Sequence, residues 1–166
     1  MGGTGNSTGT ATLACAYGMN KRIAKFRALS WPERKLLFDS MLLLPLFWIG
    51  LRVFGLLRFQ GWLNRTAAIA RPSPRREELA AMGALVNIAG SHVPWPSTCL
   101  TRSLLLGWLL RRRGVSSELR IGVRLDEGRL EAHAWVEYEG RPINDADDVA
   151  ARFAPFNEPL SPKMFA

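Results

Sequence analysis

An alternation of apolar and polar residues over 119–138 constrains the fold of this 166-residue chain more than any other feature. A period of two is typical of strands that bury one face. Residues 126–128 (Asp-Glu-Gly) interrupt the alternation with a hairpin turn, and 139–140 (Glu-Gly) turn the chain again before a third short strand over 141–144. Helical periodicity precedes these strands. The sequence therefore predicts an α+β fold in which helices come first and an antiparallel β meander follows.

The longest apolar segment, 31–63, is predicted to be a pair of helices. Ser30 is its expected cap, and we expect the break near Pro45 or Gly50. The uncharged stretch over 40–51 is about a dozen residues, whereas a bilayer span needs about 20. A buried helix pair or an interfacial, partner-binding helix is therefore favoured over a transmembrane span.

Two further helices are predicted before the strands. The first has Ser73 as cap and Pro74 as first residue, and Gly90 is expected to end it. The second lies within 97–114 (STCLTRSLLLGWLLRRRG), where Ser97 and Thr98 are the expected caps. Its arginine-rich end and final glycine are typical of a helix C-terminus.

Charge is distributed unevenly along the chain. Residues 1–76 carry twelve Lys/Arg and two acids, a net of +10, whereas 77–166 carry ten bases and twelve acids, a net of −2. This asymmetry predicts a basic N-terminal part that faces an acidic partner or a membrane surface. No nucleic-acid-binding signature accompanies the basic residues, so we expect no nucleic-acid partner. Residues 1–20 are rich in Gly, Ser and Thr and are predicted to be a disordered tail.

Cys99, His133 and Asp145 form the candidate catalytic series. A cysteine at a helix N-terminus is favoured as thiolate, and its backbone N–H is free to stabilise an oxyanion. The histidine lies within a strand and can act as base, while a carboxylate can orient its ring. Asp147 or Asp148 could take the role of Asp145. Lone cysteines and strand histidines are more often structural, and the residues alone leave that alternative open.

The cysteines also indicate the compartment. There are two, Cys15 and Cys99, far apart in sequence. This is neither a disulfide framework nor a zinc motif, and it favours a reducing, cytoplasmic setting. No metal-ligand cluster is visible, and a reaction carried by the Cys99, His133 and Asp145 side chains needs no cofactor.

The combined motifs resemble those of the leader peptidases of lasso-peptide biosynthesis, which belong to the transglutaminase-like, papain-related cysteine enzymes. The resemblance covers about residues 75–156 and rests on four motifs. They are a Cys-Leu pair at the start of a helix, the arginine-rich end of that helix, an Ala-His-Ala-Trp-Val-Glu strand, and a following Asn-Asp pair. It implies that Cys99 is the nucleophile, His133 the base and Asp145 the orienting acid.

The resemblance also implies a function and its partners. The expected reaction is hydrolysis of the leader–core bond of a ribosomally made precursor peptide. No small recognition domain is evident before the helices, so we expect the split type, whose partner is a separate leader-recognition protein. A macrolactam cyclase would act on the released core. The predicted domains are a tail over 1–20, a basic docking region over 21–72 and a cysteine-peptidase domain over 73–166. Acyl transfer or amide hydrolysis by the same triad, or a non-catalytic peptide- or membrane-binding module, remain alternatives.

Overall fold

The computed structural model describes residues 29–65, 74–126 and 128–155. The predicted tail and the predicted cap Ser73 lie outside these residues. Its elements are α1 (Trp31–Leu63), α2 (Arg76–His92), α3 (Cys99–Arg112), β1 (Glu118–Asp126), β2 (Arg129–Tyr138), β3 (Arg141–Pro142), α4 (Val149–Arg152) and β4 (Ala154–Pro155). The strands form one antiparallel sheet in the order β3-β2-β1-β4. Helices followed by an antiparallel sheet confirm the predicted α+β class.

The chain divides into two compact units, residues 1–35 and 36–166. In the described part of the first unit, Ser30 begins helix α1 as predicted. Its carbonyl accepts the Arg34 N–H at 3.0 Å, while its hydroxyl and backbone N–H both donate to Glu33 Oε2, at 2.6 and 2.7 Å. The hydroxyl bond, followed by the backbone bond, lowers the pKa of Glu33 below its usual value.

In the second unit, α1 is a helical hairpin that bends at Gly55. The prediction of a break near Pro45 or Gly50 is wrong, because both residues lie within helical backbone. Gly55 has φ 72° and ψ 166°, a conformation that favours glycine. The bend folds the chain back so that the rings of Phe47 and Phe59 meet edge to face at 5.3 Å. Gly50 has a different role, since a Cβ there would collide with the Phe59 ring.

By length and composition, α1 is also the one helix among the described residues that could cross a membrane. Its most apolar 18-residue window has a mean hydropathy of 1.9 and is 22% buried. The uncharged stretch considered in the sequence analysis, 40–51, ends before Arg52 and is therefore shorter than this window. A core helix or a signal sequence meets the same criterion, so the finding does not assign a location.

Helix α2 has different ends from those predicted. It begins at Arg76 rather than at Pro74, and it continues through Gly90 to His92. Gly90 is there for close packing, because a Cβ at this position would meet the Arg102 side chain of α3. The helix ends where Val93, which precedes a proline, turns to extended backbone.

The β1–β2 hairpin is the predicted one, with a two-residue connection between the paired residues Asp126 and Arg129. The third strand is shorter than predicted and ends at Pro142. Beyond it, the Ile143 N–H still donates to the Val136 carbonyl at 3.0 Å, and a side chain then replaces the strand ladder, since Asn144 Oδ1 accepts the Val136 N–H at 2.8 Å. This replacement lets the chain leave the sheet edge directly before Asp145.

Helix α3 packs across β2 through its buried leucines. Leu105, Leu106 and Leu110 are fully buried, as is Trp135 on β2. Trp135 forms a core cluster with Val149 of α4 and Phe153. The core therefore has one part between β2 and the helix that starts at Cys99 and a second part formed by Trp135, Val149 and Phe153.

Candidate active site

Cys99 is the first residue of α3 and carries a free, half-buried thiol. Thr98 caps the helix as predicted, accepting the Thr101 N–H on its hydroxyl at 3.2 Å. The other predicted cap, Ser97, instead accepts a hydrogen bond from Arg102. Among the described residues the Cys99 N–H has no hydrogen-bond acceptor. A free N–H beside the sulfur is what an oxyanion-forming reaction requires.

His133 lies on β2 with its ring held by aromatic neighbours. The imidazole stacks on Phe153 at 4.9 Å and on Trp135 at 6.3 Å, with interplanar angles of 29° and 20°. Gly122 faces His133 across the sheet and makes room for both aromatic residues. A Cβ at Gly122 would lie 3.0 Å from Trp135 Cη2 and from Phe153 Cβ. The local packing thus fixes the plane of the imidazole.

Asp145 accepts a hydrogen bond from that ring. Its Oδ2 lies 2.6 Å from His133 Nε2. An ionised carboxylate can only accept, so Nε2 carries the hydrogen and Nδ1 is left as the basic nitrogen. Asp145 Oδ1 accepts from the Ala146 N–H at 2.8 Å and from Arg152 Nη2 at 3.2 Å. The carboxylate is therefore oriented from both sides.

The two rival carboxylates lie elsewhere. Asp147 pairs with Arg76 at 3.1 Å, and its side chain is 83% exposed. Asp148 pairs with Arg152 at 3.2 Å and is 64% exposed. Of the three aspartates considered from sequence, the structure brings Asp145 to the imidazole.

A polar network fixes the backbone on either side of His133 and Asp145. Ser103 Oγ donates to the Ala134 carbonyl at 3.0 Å and accepts from Asn144 Nδ2 at 3.1 Å. Asn144 Oδ1 accepts the Val136 N–H, and the Asn144 carbonyl accepts from Asn87 Nδ2 at 2.7 Å. Helices α2 and α3 are thereby tied to the residues that flank the His–Asp pair.

The three predicted residues line one cavity of about 300 Å³, the site cavity. Its full lining is Asn87, Ser97, Cys99, Arg102, His133, Ala134, Asn144 and Asp145. Within the described ranges, no group of three or more His, Cys, Asp or Glu side chains is arranged to hold a metal ion.

Sequence reasoning missed several of these residues. Arg102 could have been found, because it follows Cys99 by one helical turn and so lies on the same face. Asn87 sits among the apolar positions of α2, and no local pattern links it to the site. Ser103 and Phe153 act through contacts distant in sequence, which periodicity does not show, and Arg152 lies on the short helix α4, which sequence reasoning did not predict.

Comparison with known families agrees with this fold. Residues 41–158, most of the chain, match a family model described as the transglutaminase-like superfamily. The chain therefore belongs to the transglutaminase-like superfamily, whose members are generally cysteine proteases or acyltransferases. The match includes α2, α3 and the whole sheet. Comparisons with curated proteins and with solved structures gave no match.

Proposed function

We propose that this protein is a cysteine endopeptidase that removes the leader from a ribosomally synthesised precursor peptide, as in lasso-peptide maturation. The observation that carries the proposal is the shared cavity of Cys99, His133 and Asp145, with the histidine and aspartate 2.6 Å apart. A thiol, a base with one free nitrogen and an orienting carboxylate are the groups that acyl transfer needs.

The reaction follows from these groups. His133 Nδ1 takes the thiol proton as Cys99 sulfur attacks the scissile carbonyl carbon. The resulting oxyanion accepts the Cys99 N–H. The C–N bond then breaks, and the imidazolium gives its proton to the leaving amine, which is the N-terminus of the core peptide. Water, deprotonated by Nδ1, attacks the thioester, releasing the leader with a new carboxylate and restoring the thiol.

The motif of the resembling family has a structural role beyond the triad. Trp135 Nε1 donates to Glu137 Oε1 at 2.8 Å, and Arg120 Nε donates to Glu137 Oε2 at 3.1 Å. Trp135 in turn stacks against His133. Glu137 therefore holds Trp135, and Trp135 supports the imidazole.

The proposal includes a separate leader-recognition protein that docks on α1. Leu42, Leu46, Ile49 and Val53 follow one another at helical spacing and are 73%, 57%, 49% and 65% exposed; we call them the α1 stripe. Contiguous exposed apolar surface marks an interaction site. Basic residues on the same helix would suit an acidic partner. The precursor, this partner and the cyclase are proposed to meet in the cytoplasm, where a thiol nucleophile stays reduced.

The test is cleavage of a candidate precursor peptide with and without a candidate recognition protein. We expect wild type, but not Cys99→Ala, to release an intact core, with mass spectrometry locating one cut. Formation of an amide with an added amine, rather than hydrolysis, would favour the acyltransferase alternative. Cleavage retained by Cys99→Ala would overturn the assignment of Cys99 as nucleophile, whereas binding of the precursor without cleavage by either protein would favour a binding module.

Charge reversal tests the docking part separately. Replacing Arg52, Arg58 and Arg65 by glutamate should weaken binding of the recognition protein, measured by calorimetry, because these cations lie on or directly after α1. Unchanged binding would contradict an electrostatic contribution of this region.

A further inference from the structure

Arg102 presents a cation to the site cavity one helical turn after Cys99. The side chain is half-buried and is held by a single residue: Nε donates to Ser97 Oγ and Nη2 to the Ser97 carbonyl, both at 3.0 Å. Its guanidinium lies against Gly90, where a Cβ would leave no room for it. The arginine is thus fixed in position by neutral partners.

Within the described part of the chain, no carboxylate pairs with Arg102. Three other half-buried arginines near the sheet differ in this respect, as does the exposed Arg152, and their partners are as follows: Arg76 with Asp147, Arg120 with Glu137, Arg124 with Glu131, and Arg152 with Asp145 and Asp148. The carboxylate that lines the site cavity, Asp145, already bonds His133 and Arg152. An arginine withdrawn from water normally has an anionic partner.

We propose that Arg102 is a specificity-determining residue that binds a carboxylate of the peptide substrate beside the scissile bond. This inference rests on the proposed peptidase function. Side chains three residues apart on a helix have Cβ atoms about 5–6 Å apart, and an extended peptide advances about 3.3–3.6 Å per residue. The carboxylate therefore belongs to a residue within about two positions of the cleaved bond. The Nη1 hydrogens, which no described residue accepts, are the donors for it.

Pairs of internally quenched peptides that differ by Glu or Gln at one position test the proposal. They are varied over three residues on each side of the cut. At one position, the wild-type protein should cleave the Glu peptide with a kcat/KM at least about tenfold higher than that of the matching Gln peptide. A hydrogen bond to a charged group is expected to have an effect of this size. In Arg102→Gln the ratio should fall to about one, and Arg102→Lys should keep part of it. Arg129→Gln, at an exposed hairpin position, is the matched control and should keep the wild-type ratio.

Two results would overturn the proposal. Equal loss of kcat/KM for both members of every pair in Arg102→Gln would mean that Arg102 only holds the Ser97 turn. A Glu preference that survives in Arg102→Gln would assign the recognition to another group.

A binding experiment separates this proposal from the peptidase proposal. Fluorescein-labelled Glu and Gln peptides are titrated against Cys99→Ala and against Cys99→Ala with Arg102→Gln. Tighter binding of the Glu peptide to the first variant, lost in the second, supports carboxylate recognition even if wild type cleaves none of the peptides. Equal affinities of both peptides for the first variant would overturn it. Matching thermal unfolding curves establish that the two variants are folded.

Discussion

The site region and helix α1 use their side chains in opposite ways. Around β2, polar groups from α2 and α3 satisfy one another at half-buried or buried positions, as in the bonds among Asn87, Asn144 and Ser103. Along α1, apolar side chains such as Leu42 and Val53 remain exposed. In the first region, the desolvation of polar atoms costs free energy, but their mutual hydrogen bonds hold a fixed geometry. The second keeps apolar surface exposed to water, and the burial of that surface by a binding partner would be favourable.

Under the proposed function, this contrast places the chemistry on the sheet side and the binding of the recognition protein on α1. The imidazole is stacked, hydrogen-bonded and anchored through its neighbours, so substitutions there should change the rate of the chemical step. Substitutions on the α1 stripe should leave chemistry intact and change binding. The following predictions test this division, from the largest expected effect to the smallest.

Cys99→Ala should abolish peptide cleavage, with a loss of about 10⁴-fold or more, because removal of the nucleophile removes the covalent route. Initial rates of core release, measured by chromatography, provide the test. Cys15→Ala is the matched control and should keep wild-type rates. Cleavage by Cys99→Ala at more than a few per cent of the wild-type rate would contradict the assignment.

Asp145→Asn should lower kcat by about 10²–10⁴-fold, because an amide can present an N–H to Nε2 and favour the wrong tautomer of His133. Asp147→Asn, which alters an exposed carboxylate paired with Arg76, should stay within about twofold of wild type. Steady-state kinetics on both variants decide the question. A larger loss of kcat in Asp147→Asn than in Asp145→Asn would mean that Asp147 is the orienting acid.

Asn144→Ala should reduce both stability and activity, because it leaves the Val136 N–H without an acceptor and removes the hydrogen bond that Ser103 Oγ accepts. We expect a loss of about 1–3 kcal/mol in the free energy of unfolding and a lower kcat, since the next residue is Asp145. Asn64→Ala, at an exposed position after α1, is the control. Urea unfolding and kinetics on the same preparations give both quantities; unchanged kcat would show that the network serves stability alone.

Leu46→Ser with Ile49→Ser should change the free energy of unfolding by no more than about 0.5 kcal/mol per substitution, because both side chains are exposed. The same variant should bind the recognition protein at least about tenfold more weakly. Leu130→Ser, a 72% exposed leucine in the hairpin, should not affect binding. Large destabilisation of the double variant would instead make the α1 stripe part of the folded core.

Ser30→Ala should have the smallest effect, and that effect should depend on pH. Hydrogen bonds from Ser30 lower the folded-state pKa of Glu33, so their stabilisation is present above the unfolded-state pKa and is lost as pH falls through the folded-state pKa. The variant should melt slightly below wild type near neutral pH, and the two should converge in acid. Melting curves over this range provide the measurement; a constant difference would point to helix propensity instead.

The sequence predicts elements that depend on neighbours along the chain. Alternation gives β1 and β2, and a capping threonine before Cys99 gives the start of α3. It misplaces the bend of α1, because proline is a visible marker whereas the left-handed backbone of Gly55 is a property of the folded chain. Gly90 resembles a helix end, yet it is required by packing against Arg102.

The site shows the same limit. Cys99 and His133 are predictable because each lies in a periodic segment whose type is evident. Asp145 is nominated together with two nearby aspartates, and the choice among them depends on which side chain reaches the ring after the strand ends. The supporting residues, such as Asn87 and Phe153, come from elements whose arrangement around the sheet is decided by tertiary packing.

Acylation of Cys99 by p-nitrophenyl acetate tests the central claim most directly, because it needs neither the precursor nor the partner. Intact-mass measurement and peptide mapping would compare acetylation of Cys99 with that of Cys15, a second thiol in the same chain. The account predicts rapid acetylation of Cys99 that slows by about 10²-fold or more in His133→Gln, while Cys15 reacts slowly in both proteins. Equal reactivity of the two cysteines, or a Cys99 rate unaffected by His133→Gln, would contradict it.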